Sequence, residues 1–214
     1  MNNYTGTMKR IIFCGGLALM AGISGVMAQE QQNGKIDAIE VESKVSQIRK
    51  WYSEIESDKT LKKTSFNDGD KDGPDRLEIT RYTTADGELK KLHRYAGGDH
   101  GVGNETYYFH NGKLFFVYIA SNYWRFAGSE GPNGESETLD IASQQRLYFH
   151  NDQCIKALEK RLEVKGADGA PLLLDKVPNK MKEIDDRMQS YVARAKRFAE
   201  IRSQGDFEKF LSQP

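Results

Sequence analysis

"YYFHNGKLFF", residues 107–116, and "LYFHNDQCIK", residues 147–156, are close copies of one unit. Each runs through apolar and aromatic residues to Tyr-Phe-His, meets a turn pair, and resumes as a second apolar segment. Asn111-Gly112 favours a two-residue hairpin turn because both residues tolerate positive φ, and Asn151-Asp152 is a weaker version of the same signal. A third hairpin is expected around "ADGE", where "RLEITRYTT" and "LKKLHRY" flank Asp86-Gly87. Aligning the three turns sets Ala85 beside His110 and His150, and Leu89 beside Leu114 and Cys154.

Strict alternation around Asn111-Gly112 pairs Tyr108 with Phe115 and Tyr107 with Phe116. It sorts Tyr107, Phe109, Leu114 and Phe116 onto one face and Tyr108, Phe115, Val117 and Ile119 onto the other. Both faces are then apolar, so both need cover. Two amphipathic helices can supply it. Residues 36–57 carry Val41, Val45, Ile48, Tyr52 and Ile55 at steps of four and three, one apolar helical stripe. Residues 179–203 carry Ile184, Met188, Tyr191, Val192, Ala195, Phe198 and Ile201, with Pro178-Asn179 as the start signal and Gly205 as the stop. "SEGPNGESE", 129–137, reads as the longest loop, and Pro171 directs the chain after it to an edge or loop. The expected fold is α+β: an antiparallel meander sheet of about six strands, as three hairpins over 77–160, flanked by N-terminal and C-terminal amphipathic helices.

The first 28 residues have the anatomy of a secretory signal peptide. Lys9 and Arg10 precede the apolar run Ile11–Ile23, and "SGVMA" places Val26 and Ala28 as a small-residue cleavage signal. Met8 is an alternative start. The expectation is a signal peptide at 1–28, a single domain at 29–214, and a periplasmic or secreted location with no transmembrane anchor after processing. The run is shorter than the ~20 residues of a membrane span. The whole chain balances 31 basic against 31 acidic residues. Removing 1–28 takes two basic residues and no acid. Nothing in that balance favours nucleic acid, which calls for clustered basic residues. Cys154 alone remains of the two cysteines, and is read as a small buried apolar residue.

Two constellations suggest metals. His110 and His150 repeat, but a simple meander sets them on alternate strands, roughly 9–10 Å apart, so the repeat is read as architecture. "DGDKDG", 68–73, places Asp68, Asp70 and Asp72 at alternate positions before a glycine and resembles the opening of an EF-hand or dockerin calcium loop. The twelfth position is Ile79, where a bidentate acid belongs. Neither is taken as a metal site, and no cofactor is expected.

The chain shows no Gly-x-Ser-x-Gly elbow, His-Glu-x-x-His, phosphate loop or dinucleotide loop. The aromatic–turn–hydrophobic units resemble the hairpins of MORN-variant repeat proteins, which implies antiparallel β structure and carries no catalytic residues. The overall plan resembles uncharacterised exported proteins of Gram-negative bacteria. The functional expectation is a non-catalytic binding or protein-interaction module whose partner is an envelope protein or small ligand. Tyr107, Tyr108, Tyr118, Tyr123 and Trp124 offer flat surfaces with polar edges. Within "SNYWRF", beside the glycine-rich loop, Tyr123, Trp124 and Arg125 are the candidate binding residues. The alternative is an exported hydrolase using carboxylates or His in a cleft near 121–137.

Overall fold

The structure, a computed structural model, describes residues 37–68, 75–131, 133–165 and 170–213. The signal-peptide expectation, and Asp70 and Asp72 of the acidic turn, lie outside them. The described chain begins with α1 (Ala38–Ser57) and continues through β1 (Lys62–Asn67), β2 (Arg76–Thr83), β3 (Leu89–Gly98), β4 (Gly101–His110), β5 (Lys113–Glu130), β6 (Ser136–His150) and β7 (Gln153–Lys165). Then come α2 (Ala170–Leu174), β8 (Lys180–Met181), α3 (Asp186–Ala199) and α4 (Gln204–Leu211). The strands form one antiparallel sheet in sequence order, eight strands rather than about six. The two added strands, β1 and β8, sit at the edges.

The three hairpins share a feature beyond their turns. Asn111 and Gly112 have φ of 51° and 72°, and Asn151 and Asp152 of 49° and 61°, so both turns are of the two-residue left-handed kind. His110 pairs with Lys113 and His150 with Gln153, as alternation predicts. Just beyond, each ladder slips. Tyr108 faces Phe116 and Tyr148 faces Lys156, so Phe115 and Ile155 are extra residues on their strands. The first hairpin slips at the equivalent place, Lys90, because Thr83 faces Leu89 and Tyr82 faces Lys91. Its turn differs. Gly87 N–H donates to Thr84 O at 3.0 Å and Thr84 N–H to Glu88 O at 3.0 Å, with φ of 91° at Gly87. That is a three-residue connection, so Thr84, not Ala85, occupies the place of the histidines.

The slips correct the expected faces. A bulge puts two consecutive side chains where alternation allows one. Phe115 and Phe116 therefore both join Tyr108 and Tyr148 against α1, while Val117 joins Tyr107, Phe109 and Leu114 on the opposite face. That opposite core is the larger. Ile79, Leu92, Leu147, Phe149 and Ala157 pack there against Met188, Val192, Ala195 and Phe198 of α3 and Phe207 of α4.

Each helix has a local cause. Val45, Ile48 and Ile55 of α1 are buried as the stripe predicts, and the Asp37 carboxylate accepts from Ile39 N–H. The C-terminal helix is shorter than the expected 179–203 and is followed by a separate α4. Pro178-Asn179 leads into β8, which pairs with Leu158 and Glu159 of β7. The helix start falls to Asp185, whose carboxylate accepts from Met188 N–H at 3.0 Å, and Ile184 stays 44 % exposed. α3 stops before Gly205, which sits inside α4. At its end the buried Arg81 donates to the carbonyls of Ala199 and Ile201 at 2.8 and 2.9 Å. A guanidinium there satisfies carbonyls that lack helical partners and opposes their partial negative charge. Pro171 lies in the first turn of α2, where its missing N–H costs nothing; the expected edge or loop is a short helix.

Side chains from the last two helices reach both sheet edges. Gln189 Oε1 of α3 accepts from Cys154 N–H on β7 at 3.1 Å, and Gln204 Nε2 of α4 donates to Asn67 O on β1 at 2.9 Å. Among the described residues no helix is long and apolar enough to cross a membrane.

Candidate functional site

The residues picked from the sequence lie on the far half of β5. The β4 ladder ends where Gly101 meets Tyr123, and β5 and β6 continue past it as a ribbon. "SEGPNGESE" is strand at both ends: β5 runs to Glu130, β6 begins at Ser136, and the long loop shrinks to 131–135. Strand alternation divides the three candidates. Trp124 lies on the α1 side, 4.5 Å from the His100 ring and edge-on to Phe126 at 5.5 Å, with Phe126 59 % exposed. Tyr123 and Arg125 alternate to the other side. The Tyr123 hydroxyl accepts from Arg161 Nη2 at 3.2 Å, and Arg125 is exposed. The triplet does not converge on one point.

Gly101 makes that junction possible. Its φ is +148°, and a Cβ there would stand 2.2 Å from Asn122 O. Glycine allows β4 to start against β5 at this distance.

A concave site forms elsewhere, between α1 and the β5–β6 pair. It is a cleft of about 430 Å³ lined by Ile48, Arg49 and Tyr52 of α1, Phe116 and Tyr118 of β5, and Arg146 and Tyr148 of β6. That volume falls in the ~300–1,000 Å³ range of small-molecule sites. The aromatic wall is continuous. Tyr52 stands edge-on to Phe116 at 5.5 Å, and Phe116 lies 5.1 Å from Tyr148. Tyr118 and Arg146 are directly opposite each other on β5 and β6. The Arg146 guanidinium lies 5.2 Å from the Tyr118 ring centre. Burial raises the Tyr118 phenol above its ordinary pKa, so its hydroxyl keeps its proton.

Arg146 is held by neutral groups. Nη1 donates to Asn179 Oδ1 at 2.8 Å and Nη2 to Gln144 Oε1 at 3.3 Å. Asn179, expected to begin a helix, thus positions a cation. The acids nearby are engaged by lysines: Glu42 by Lys156, Glu56 by Lys91 at 2.8 Å, and Asp175 by Lys160 at 3.1 Å. The Glu42 carboxyl is held below its usual pKa chiefly by its hydrogen bond from Lys156.

A second cleft, of about 500 Å³, lies between α3 and the other face, lined by Arg94, Glu105, Arg194, Arg197 and Phe198 among others. Three of its charged groups are tied to one another. Glu105 accepts from Arg194 Nη1 at 2.9 Å and from the Tyr107 hydroxyl, with Arg94 Nη1 at 3.7 Å. Arg197 lies 4.8 Å over the Phe210 ring and donates to Gln213. The network fastens α3 to the sheet.

The remaining sequence candidates are structural in their contacts. His110 stacks on Trp51 with ring centres 4.1 Å apart and planes at 11°. His150 lies beside the Asn151 amide. The Asp68 carboxylate accepts from Leu77 N–H at 2.8 Å. Cys154 is buried, and burial pushes its thiol up to about 11. Among the described residues no group of three or more His, Cys, Asp or Glu side chains is placed to hold a metal. No family model, curated protein or solved structure matches this chain.

The cleft residues carried weak signals. Tyr118 and Tyr148 belong to the repeated aromatic hairpins, and Tyr52 to the helical stripe. Arg146 is the informative one: a cation inside "QQRLYFH", on a strand otherwise ending in apolar and aromatic residues. Its partner Tyr118 depends on the β5–β6 register, set by a long ribbon whose turn signal, Asn133-Gly134, lies inside the stretch read as a loop.

Proposed function

We propose that the chain is an exported, non-catalytic binding module whose ligand enters the cleft between α1 and β5–β6. Export is supported by the Lys9-Arg10 flank, the apolar run after it and the small residues ending at Ala28. Binding is supported by one observation above others: a cleft of small-molecule size walled by Tyr52, Phe116, Tyr118 and Tyr148. Such rings bury large apolar area and keep a polar edge for orientation. The resemblance to MORN-variant hairpin proteins belongs to this reading, and the bulge repeated at the equivalent place in three hairpins supports it.

The exposed Phe126 beside Trp124 favours a second reading, in which the β5–β6 ribbon docks on an envelope protein. The exported hydrolase is the competing class; near 121–137 the Glu137 carboxylate accepts from Ser129 Oγ at 2.6 Å and pairs with Lys165 at 3.1 Å.

Thermal-shift and calorimetric screening of small amphipathic compounds tests the first reading. Binders should raise the melting temperature of the wild type and lose that effect in Tyr118→Ala. Pull-down from envelope extract that depends on Trp124 and Phe126 would shift the assignment to the ribbon. Turnover in a hydrolase panel, with no binders found, would overturn the non-catalytic reading.

A further inference from the structure

The cleft has a charge as well as a shape. Two arginines line it, and no carboxylate does. Among the described residues neither Arg49 nor Arg146 forms an ion pair, although several acids lie close by. Each of those acids is already bound by a lysine: Glu42 by Lys156, Glu56 by Lys91 and Asp175 by Lys160. The pattern separates two kinds of cation. The lysines take the close contacts with these acids, Arg49 acts on Glu42 only more weakly than Lys156 does, and both arginines line the cavity.

Arg146 is also prepared for a partner. Two amide oxygens, from Asn179 and Gln144, fix its guanidinium without neutralising it, and Tyr118 lies under it. A guanidinium has five N–H donors in a planar fork. Two are directed to the amides, which leaves donors for an oxyanion. Arg49 is exposed on α1, at the other wall. Pre-positioned cations beside an apolar wall bind an anion at lower ordering cost than mobile ones.

We infer that this cleft selects an acidic ligand: a small molecule with a flat apolar body against Phe116 and the tyrosines, and one carboxylate, sulfonate or phosphate group directed at Arg146 and Arg49. The inference rests on the cleft being the ligand site, and adds the ligand's charge.

The test uses two fluorescent probes of similar shape and opposite character. 8-Anilinonaphthalene-1-sulfonate is anionic, and N-phenyl-1-naphthylamine is neutral. Binding of each is measured by fluorescence titration and calorimetry on the purified protein, at low and high salt, with Arg146→Gln, Arg49→Gln and Tyr118→Ala beside the wild type. The sulfonate should bind the wild type more tightly than the amine and weaken with salt. Arg146→Gln should weaken the sulfonate about tenfold to hundredfold, the range for losing a hydrogen bond to a charged group, and leave the amine within about threefold. Arg49 is exposed on a helix surface, so Arg49→Gln keeps the test open if Arg146→Gln fails to fold. Equal affinity for both probes, unchanged by either arginine variant but lost in Tyr118→Ala, overturns the charge inference and leaves the cleft as a binding site. Failure of both probes to bind, or binding unaffected by all three variants, overturns the cleft as the site and the inference with it.

Discussion

The two faces of the sheet are built from the same strands and differ in what they leave open. On the α3–α4 face, Tyr107, Leu147, Phe149 and Val117 are buried against the helices, and Glu105 is shared by Arg194, Arg94 and Tyr107. On the α1 face, one helix covers the turn-proximal rows of β4–β6, and the next row, Thr106–Tyr118–Arg146, borders a cleft. The difference lies in how charge is treated. One face gathers Arg94 and Arg194 onto Glu105 and rests Arg197 on Phe210 and Gln213. The other diverts its acids to lysines and leaves arginines beside aromatic rings. Closed charge fastens a helix; open charge beside apolar surface is the feature on which the proposed ligand site rests.

The largest effect should come from the packed face. Phe149→Ala removes a ring that is 1 % exposed and should cost about 3–5 kcal/mol of stability in urea denaturation. Arg81→Leu comes next. It removes both hydrogen bonds to the end of α3 and should cost about 1.5–3 kcal/mol, with amide exchange in α3 rising ahead of exchange in α1. Tyr52→Ala probes the open face. Tyr52 is 38 % exposed and its loss should cost only about 1 kcal/mol. A loss as large as that of Phe149→Ala would mean that both faces are packed alike and would break the comparison.

The smallest effect is a pH dependence. His93 lies on the α1 face, with Nε2 3.1 Å from Asn104 Oδ1. Burial lowers its pKa below the ordinary 6.5, and the Asn104 hydrogen bond opposes that shift. The folded state therefore holds fewer protons than the unfolded state as pH falls through 6.5. Stability should be full above that pH and decline below it, toward the folded pKa. In His93→Gln, urea midpoints at pH 7.5 and 5.5 should lie closer together than in the wild type. An unchanged gap would show that His93 is not the group responsible.

How much could be read from the sequence depends on the range of each signal. The α1 stripe and the Asn-Gly and Asn-Asp turns are set by neighbours within a few residues, and they are found where expected. The bulges at Lys90, Phe115 and Ile155 leave no local mark. "KLFFVY" satisfies either alternation or a slip, because consecutive apolar residues suit both faces. Pro178-Asn179 resembles a helix start, but Asp185 offers a better cap and frees the preceding residues to pair with β7. Trp124 stands out in the sequence as an aromatic beside a glycine-rich loop, and strand alternation parts it from Tyr123 and Arg125. The cleft was the least legible part, since Arg49, Tyr118 and Arg146 meet only after helix packing and strand register are both fixed.

The two glutamines at the sheet's borders have a consequence for how molecules of this protein meet. An open sheet offers unpaired backbone groups along its outermost strands, and those groups template pairing with another chain. Here Gln204 takes a carbonyl of β1, and Lys62 and Lys63 are exposed on the same strand. At the other border Gln189 takes an amide of β7, β8 covers Leu158 and Glu159, and the charged Arg161, Glu163 and Lys165 alternate beyond them. A neighbouring copy approaching either border meets charged side chains and, at these positions, backbone groups already engaged, both of which oppose growth of the sheet from one molecule into the next.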